Sequence, residues 1–378
     1  MFRIDLLPAE YGDAIWLEYG QRRRIHRLLI DCGTAAVYPR IRERILALPE
    51  GQRHFELLVV THVDLDHIGG ALALLRDSAS LGVSFGEIWF NGYMHLSAGG
   101  TVPPAAADDT LGPLQGEELS DLIVANGRQR WNAVVQGGAL VVPADGPLPL
   151  LASLPGGMRL TLLSPRQEQL TALRPVWDAA CRKAGIVPGI VAADDSRRLE
   201  EGDAEPESDD LLGDPDPEQL AARPYRPDRA RPNGSSIALL AEYGGRRALL
   251  TGDAYAEVLL ASLARLPGNA GGRFAVDACK LSHHGSRGNT SSELVRALQC
   301  RNWLVSSNGK QFRHPDGEAI ARVLRDSGGN ARLHFNYRSE FNEMWSSTAL
   351  QRRYRYSTSY PAGDAAGVQL ELSQRSSR

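Results

Sequence analysis

The chain has 378 residues, 43% hydrophobic and 23% charged, with 42 basic against 45 acidic side chains and a formal charge of -3. That length allows one large or two ordinary domains with a sizeable core, and the composition excludes collagen-like, wholly disordered and membrane-embedded classes. The slightly negative balance argues against a surface built mainly to coat nucleic acid. Cys32, Cys181, Cys279 and Cys300 lie far apart without a CxxC pair, so neither a disulfide framework nor a thiolate zinc site is expected, and a cytoplasmic setting fits. With no run of 18 apolar residues and no signal-peptide core, no membrane partner is expected.

Taken in chain order, residues 1–5 enter a strand-like pattern directly, and short apolar runs follow between glycine-rich turns at 28–30, 55–60, 87–90 and 158–163. The second half repeats this at 236–243, 247–250, 275–281, 303–306, 332–337 and 368–372, each run predicting a strand. Residues 68–76, 255–266, 292–298 and 317–325 carry apolar side chains three and four apart, the spacing of a helix face, with Asp316 placed to cap the last. Residues 98–109 are rich in Gly, Ala and Pro and predict a lid loop; near 167–232 the pattern gives way to an acidic, Pro-rich insertion. Strands of one character continue on both sides of it, so the expectation is a single α/β domain over 1–378 with two sheets.

The chemistry concentrates where apolar strands end. Thr61-His62-Val63-Asp64-Leu65-Asp66-His67 follows the run 55–60 and opens a helix. His62 and Asp64 can be aimed at one ion, and Asp66 and His67 at a second, while Gly69 and Gly70 let backbone pass close by. Asp253, in Thr251-Gly252-Asp253, stands again between strand and helix and can bridge two ions. Lys280-Leu281-Ser282-His283-His284-Gly285-Ser286 ends a third strand. Consecutive side chains leaving a strand point to opposite faces, so one of His283 and His284 is expected as a ligand, His283 ahead, and the other as a substrate or supporting group.

These pieces resemble the metallo-β-lactamase superfamily, with the match nearest to the hydrolase domain of ComEC-type competence proteins. Gly12-Asp13-Ala14-Ile15, Leu29-Ile30-Asp31-Cys32-Gly33 and Asn233-Gly234-Ser235-Ser236 look like further motifs of that group, in order and spacing. The resemblance implies an αββα sandwich of two mixed sheets flanked by helices, with His62, Asp64, Asp66, His67, Asp253 and His283 or His284 as metal ligands at one edge. Most of the superfamily has histidine at the position of Asp64 and supplies another near 158–163, where this chain has Leu163-Ser164-Pro165. The oxygen-richer shell would accept Mn²⁺ or Mg²⁺ as well as Zn²⁺.

Two divalent ions sharing a bridging hydroxide would perform hydrolysis, with Asp66 orienting the nucleophile or taking its proton, and Thr61 and Asp31 as supports. His314-Pro315 resembles a His-Pro at the site mouth of ComEC-like domains; His314 is then a candidate to contact phosphate or protonate a leaving group. Lys280 and Ser286, beside the double histidine, are further substrate-contact candidates, as is Arg287; His95 could reach the site from a loop, while His26, His54 and His334 are expected to be structural. The resemblance implies a phosphodiester substrate, nucleic acid or nucleotide. The alternatives are an ester, thioester or lactam hydrolase on the same fold, or a non-enzymatic metal-binding module.

Overall fold

Several strands of this chain are apolar at consecutive positions, which requires burial on both faces, and the fold provides it. The computed structural model describes residues 1–21, 24–97, 112–189, 216–267, 272–363 and 366–372. Its strands are β1 (Phe2–Leu6), β2 (Ile15–Gln21), β3 (Arg24–Ile30), β4 (His54–Val59), β5 (Ser84–Trp89), β6 (Leu150–Ser153), β7 (Arg159–Ser164), β8 (Ala238–Tyr243) and β9 (Arg246–Leu250). They continue through β10 (Phe274–Ala275), β11 (Ala278–Lys280), β12 (Leu298–Gln299), β13 (Asn302–Val305), β14 (Arg332–Phe335), β15 (Ser357–Ser359) and β16 (Val368–Glu371). One six-stranded sheet has the order β16-β1-β2-β3-β4-β5, and an eight-stranded sheet has the order β15-β14-β13-β11-β9-β8-β7-β6.

The period of two along each strand sorts side chains into layers. Ile15, Leu17, Leu28, Ile30, Leu57 and Val59 of the first sheet meet Leu160, Leu162, Leu239, Ala248, Leu250 and Leu304 of the second in one core. Trp16, Leu29 and Leu58 point the other way, against Ile68, Leu72 and Leu75 of the helix Leu65–Leu81. Leu249, Trp303 and Val305 pack on the opposite outer face with Leu259 and Ile320, from the helices Ala256–Leu263 and Gly317–Asp326. Three cores between four layers make the αββα sandwich of the metallo-β-lactamase fold.

The helix Gln167–Ala184 corrects the reading of an irregular stretch beginning at 167. Its Leu170, Leu173, Val176, Trp177 and Cys181 lie in the core beside the first sheet. Pro175 within it and the charged residues between the apolar ones interrupt the periodicity that would have shown it. Residues 98–111 and 190–215, and with them the predicted lid loop and the acidic middle of the predicted insertion, lie outside the described residues.

Parallel pairing brings the C-terminal ends of β9, β11 and β13 to one edge, and β4 ends beside them. The helix Leu65–Leu81 reaches that edge by close backbone contact: Cys32 N–H donates to His67 O at 3.0 Å and Gly70 N–H to Gly33 O at 2.9 Å. A Cβ on Gly70 would come within 2.2 Å of Cys32 O. Gly70→Ala is therefore expected to destabilise the protein by about 1–3 kcal/mol, seen as a lower denaturation midpoint. Gly51→Ala, where a Cβ meets nothing within 4 Å, should leave the midpoint in place.

Candidate metal centre

The site grows from four chain segments whose strands end at this edge. Asp64 sits just ahead of the helix Leu65–Leu81 and Asp66 lies in its first turn, where a carboxylate is favoured by the helix dipole. Asp253 follows β9, with its N–H donating to Ser236 Oγ at 2.9 Å. His283 and His284 follow β11. Asp13 comes from the loop between β1 and β2, in contact with the first helical turn: Asp13 N–H donates to Asp66 O at 3.2 Å, and a Cβ on Gly12 would stand 1.8 Å from that same oxygen.

Asp253 is the hub. Its Oδ2 lies 3.3 Å from His67 Nε2, 3.5 Å from His284 Nε2, 3.8 Å from His62 Nε2 and 4.0 Å from His283 Nε2. Asp66 Oδ2 lies 3.2 Å from His284 Nε2 and 3.7 Å from His67 Nε2, and Asp64 Oδ2 is 3.3 Å from His62 Nε2. Ligand atoms of Asp13, His67, Asp253 and His284, all buried, fall within 4.8 Å of one another. Buried His62 Nε2 and Asp253 Oδ1 have no hydrogen-bond partner among the described residues. Converging buried donors with orphaned atoms fit divalent cations: Asp66, His67, Asp253 and His284 would hold one ion, and His62, Asp64 and the shared Asp253 the other.

The order of the two histidines departs from expectation. His283, His284 and Gly285 all adopt left-handed backbone, with φ of 47°, 55° and 85°, so the chain curls instead of continuing as a strand and both rings turn toward Asp253. His284 is the inner one. His283 keeps its Nε2 toward Asp253 but sets its Nδ1 in a polar cage, 3.1 Å from Asn289 Oδ1, 3.2 Å from Asn233 Nδ2 and 3.4 Å from Asp228 Oδ2. Geometry thus replaces His283 with His284 as the first candidate ligand.

Supporting contacts fix the imidazoles. Asp31 accepts from Thr61 N–H and Thr61 Oγ1, both at 2.7 Å, and its Oδ2 lies 2.8 Å from His67 Nδ1. Thr61 Oγ1 and Ser236 Oγ lie 3.0 and 3.3 Å from His62 Nδ1. His284 Nδ1 faces Ser306 O at 2.9 Å and Asp13 Oδ1 at 3.3 Å. Lys280 is corrected from substrate contact to interior cation: it is fully buried and ion-paired with Asp13, because β11 directs it between the sheets and away from solvent. Ser286 lies in the turn that follows, its Oγ accepting from Gly288 N–H at 3.2 Å.

His314 is buried beside the cluster, its ring 5.1 Å from that of His283 and its Nδ1 3.6 Å from Asp316 Oδ1. Arg287 is exposed and pairs with Glu318 at 3.6 Å. His95 does not join the cluster: it is buried in a turn, between Gly92 N–H at 3.0 Å and Gly137 O at 3.1 Å. His26, His54 and His334 contact Glu56, Ser84 and Ser359 elsewhere. The sequence reading gave no role to Asp13, Asp228 or Asn289. A buried glycine-aspartate pair before β2 was the signal for the first; Asp228 was hidden within the stretch read as insertion.

Charge in this pocket is tightly balanced. Burial would raise the Asp253 carboxyl, but His67, then His284 and His283, hold it well below the usual range. Burial likewise opposes ionisation of Asp13, but Lys280 and then His284 keep its pKa low. Burial lowers the His67 pKa, yet Asp253, Asp66 and Asp31 outweigh it and raise the ring well above the ordinary value; His284 is raised chiefly by Asp253, and His283 to about 9 by Asp253 and Asp228. Without a bound cation, His67, His284 and His283 are thus favoured in their protonated forms.

Metal must displace those protons, so affinity should rise as pH rises toward 9. Calorimetric titration with Mn²⁺ or Zn²⁺ at pH 7 should give a heat that varies with the ionisation enthalpy of the buffer; a buffer-independent heat would contradict the charge assignment. Asp31→Asn, tolerated at φ 55°, should weaken metal binding about 10–100-fold in a chelator competition.

Residues 22–128 match the family model of the metallo-beta-lactamase superfamily. Over 105 residues the chain is 31% identical to ComE operon protein 3 of Bacillus subtilis (strain 168), a match spanning 28% of this chain and 13% of that protein. Among solved structures, the metallo-beta-lactamase fold protein YhfI from Bacillus subtilis aligns with a TM-score of 0.40 at 9% identity, over 97% of this chain and 99% of that one. CmlA, a diiron beta-hydroxylase from Streptomyces venezuelae, aligns with a TM-score of 0.38 at 12% identity, over 98% and 54%. It is through the segment 22–128, which supplies His62, Asp64, Asp66 and His67, that the chain is similar to the metallo-β-lactamase superfamily.

Proposed function

We propose that the protein is a metal-dependent hydrolase of phosphodiester bonds, a phosphodiesterase or nuclease acting on a nucleotide or nucleic acid. The observation that carries this reading is the charge balance of the pocket. Asp13, Asp31, Asp66 and Asp253 are at most 7% exposed, and Lys280 is ion-paired with Asp13 and within 3.8 Å of Asp253. Such a set of carboxylates and imidazoles is chemistry suited to two divalent cations, and the oxygen-rich donors favour Mn²⁺ or Mg²⁺ alongside Zn²⁺. The resemblance of the site motifs to ComEC-like hydrolase domains favours the phosphodiester class over the ester, thioester and lactam alternatives.

When bound, the ions would supply Lewis acidity, making water nucleophilic near neutral pH and neutralising charge on phosphoryl oxygens. Asp66, with its Oδ2 beside His284 and His67, is placed to orient the attacking water or take its proton. His314, whose pKa burial holds below the ordinary imidazole value, offers a neutral ring beside the cluster, suited to hydrogen-bonding a phosphoryl or leaving-group oxygen. Among the described residues no helix is long and apolar enough to cross a membrane. The four cysteines are free and buried, which suits the reducing cytoplasm we assign.

Hydrolysis of a generic aryl phosphodiester under Mn²⁺ and under Zn²⁺ tests the reading. Asp66→Asn should lower turnover at least about 100-fold, and His62→Ala should lower both turnover and bound metal. Wild-type protein that binds metal and cleaves no phosphodiester would overturn the substrate class; unaltered turnover and metal content in both variants would overturn the site.

A further inference from the structure

Beyond His314 the chain carries an exposed aromatic side chain that the metal centre does not use. Phe312 is 41% exposed, more than any other phenylalanine or tryptophan among the described residues. Its loop is tied down on both sides. Asn308 N–H donates to Glu10 O at 2.7 Å, Lys310 N–H to Asn308 Oδ1 at 2.9 Å and Arg313 N–H to Gly309 O at 3.0 Å. Gly309 has a φ of +77°, and a Cβ there would come within 2.3 Å of the Phe341 ring. The backbone is shaped to present Phe312, and Tyr11 supports the ring edge-on, 5.7 Å away at 81°.

Inward, the Phe312 ring lies 6.3 Å from that of His314 at 31°, and His314 lies 6.4 Å from His284 at 29°. Roughly aligned rings therefore lead from a candidate metal ligand to solvent. Exposed Lys310 and half-buried Arg313 flank Phe312 on the same loop, giving it the mixture of π-face and positive charge that suits a base attached to an anionic backbone.

We infer that Phe312, backed by Tyr11, is a stacking platform for the base of a nucleotide whose phosphoryl group lies inward of it, beside His314 and His283. The inference rests on the phosphodiester reading and narrows it to nucleotide substrates. Stacking is indifferent to which base is offered, so the subsite gives preference for nucleotides without base specificity.

Calorimetric binding of adenosine monophosphate and ribose 5-phosphate to the Mn²⁺-loaded full chain separates base contact from phosphate contact. The nucleotide should bind about tenfold tighter than the sugar phosphate. Phe312→Ala should abolish that advantage and leave ribose 5-phosphate binding in place, and Phe312→Trp should retain it. Equal binding of the two ligands, absence of binding by both, or a nucleotide advantage that survives Phe312→Ala would overturn the platform. A Phe312-dependent preference in a protein that hydrolyses no phosphodiester would uphold the subsite while removing the catalytic reading.

Discussion

Burial of carboxylates between two sheets is the constraint around which the rest of this molecule is arranged. An ionised carboxylate out of water is strongly disfavoured unless paired and hydrogen-bonded, and here Asp13, Asp31, Asp66 and Asp253 share one pocket. Lys280 answers Asp13; Thr61 N–H and Thr61 Oγ1 answer Asp31; imidazoles surround Asp66 and Asp253. Removing one partner from such a set leaves a buried charge uncompensated, a loss of about 3–5 kcal/mol. The same charge density that makes the pocket costly without cations makes it a strong receiver for them.

The turn after β11 shows how backbone conformation is recruited to this end. Left-handed residues other than glycine carry a local penalty of about 1–3 kcal/mol each, and His283 and His284 adopt that conformation in succession before Gly285. Ser286 N–H to His283 O at 2.7 Å, His283 N–H to Gly252 O at 3.1 Å and Asp316 N–H to Gly285 O at 3.0 Å hold the turn in place. The outcome is a pair of adjacent rings that both look toward Asp253, one inner and one partly exposed.

Much of this was legible in the sequence because it depends on local pattern. Apolar runs marked the strands, and a dense His/Asp set after an apolar run marked the edge where they end. What escaped depends on contacts distant along the chain. Lys280 reads as a surface cation until β11 is placed between β9 and β13, and Asp13 gains meaning only when Asp66, His284 and Lys280 are gathered around it. The precedence of His284 over His283 rests on left-handed φ values that histidine rarely adopts, and the helix Gln167–Ala184 is obscured by its own Pro175.

The site draws its side chains from both sheets, with Asp13, Asp31 and residues 61–67 on one side and Asp228, Asp253 and residues 280–284 on the other. During synthesis the amino-terminal half therefore emerges with Thr61 and His67 already available to Asp31 and Asp66, but with Asp13 lacking Lys280 and His284. The cation cradle is complete only when both sheets are in place, so metal retention reports on the whole chain and not on the folding of either half.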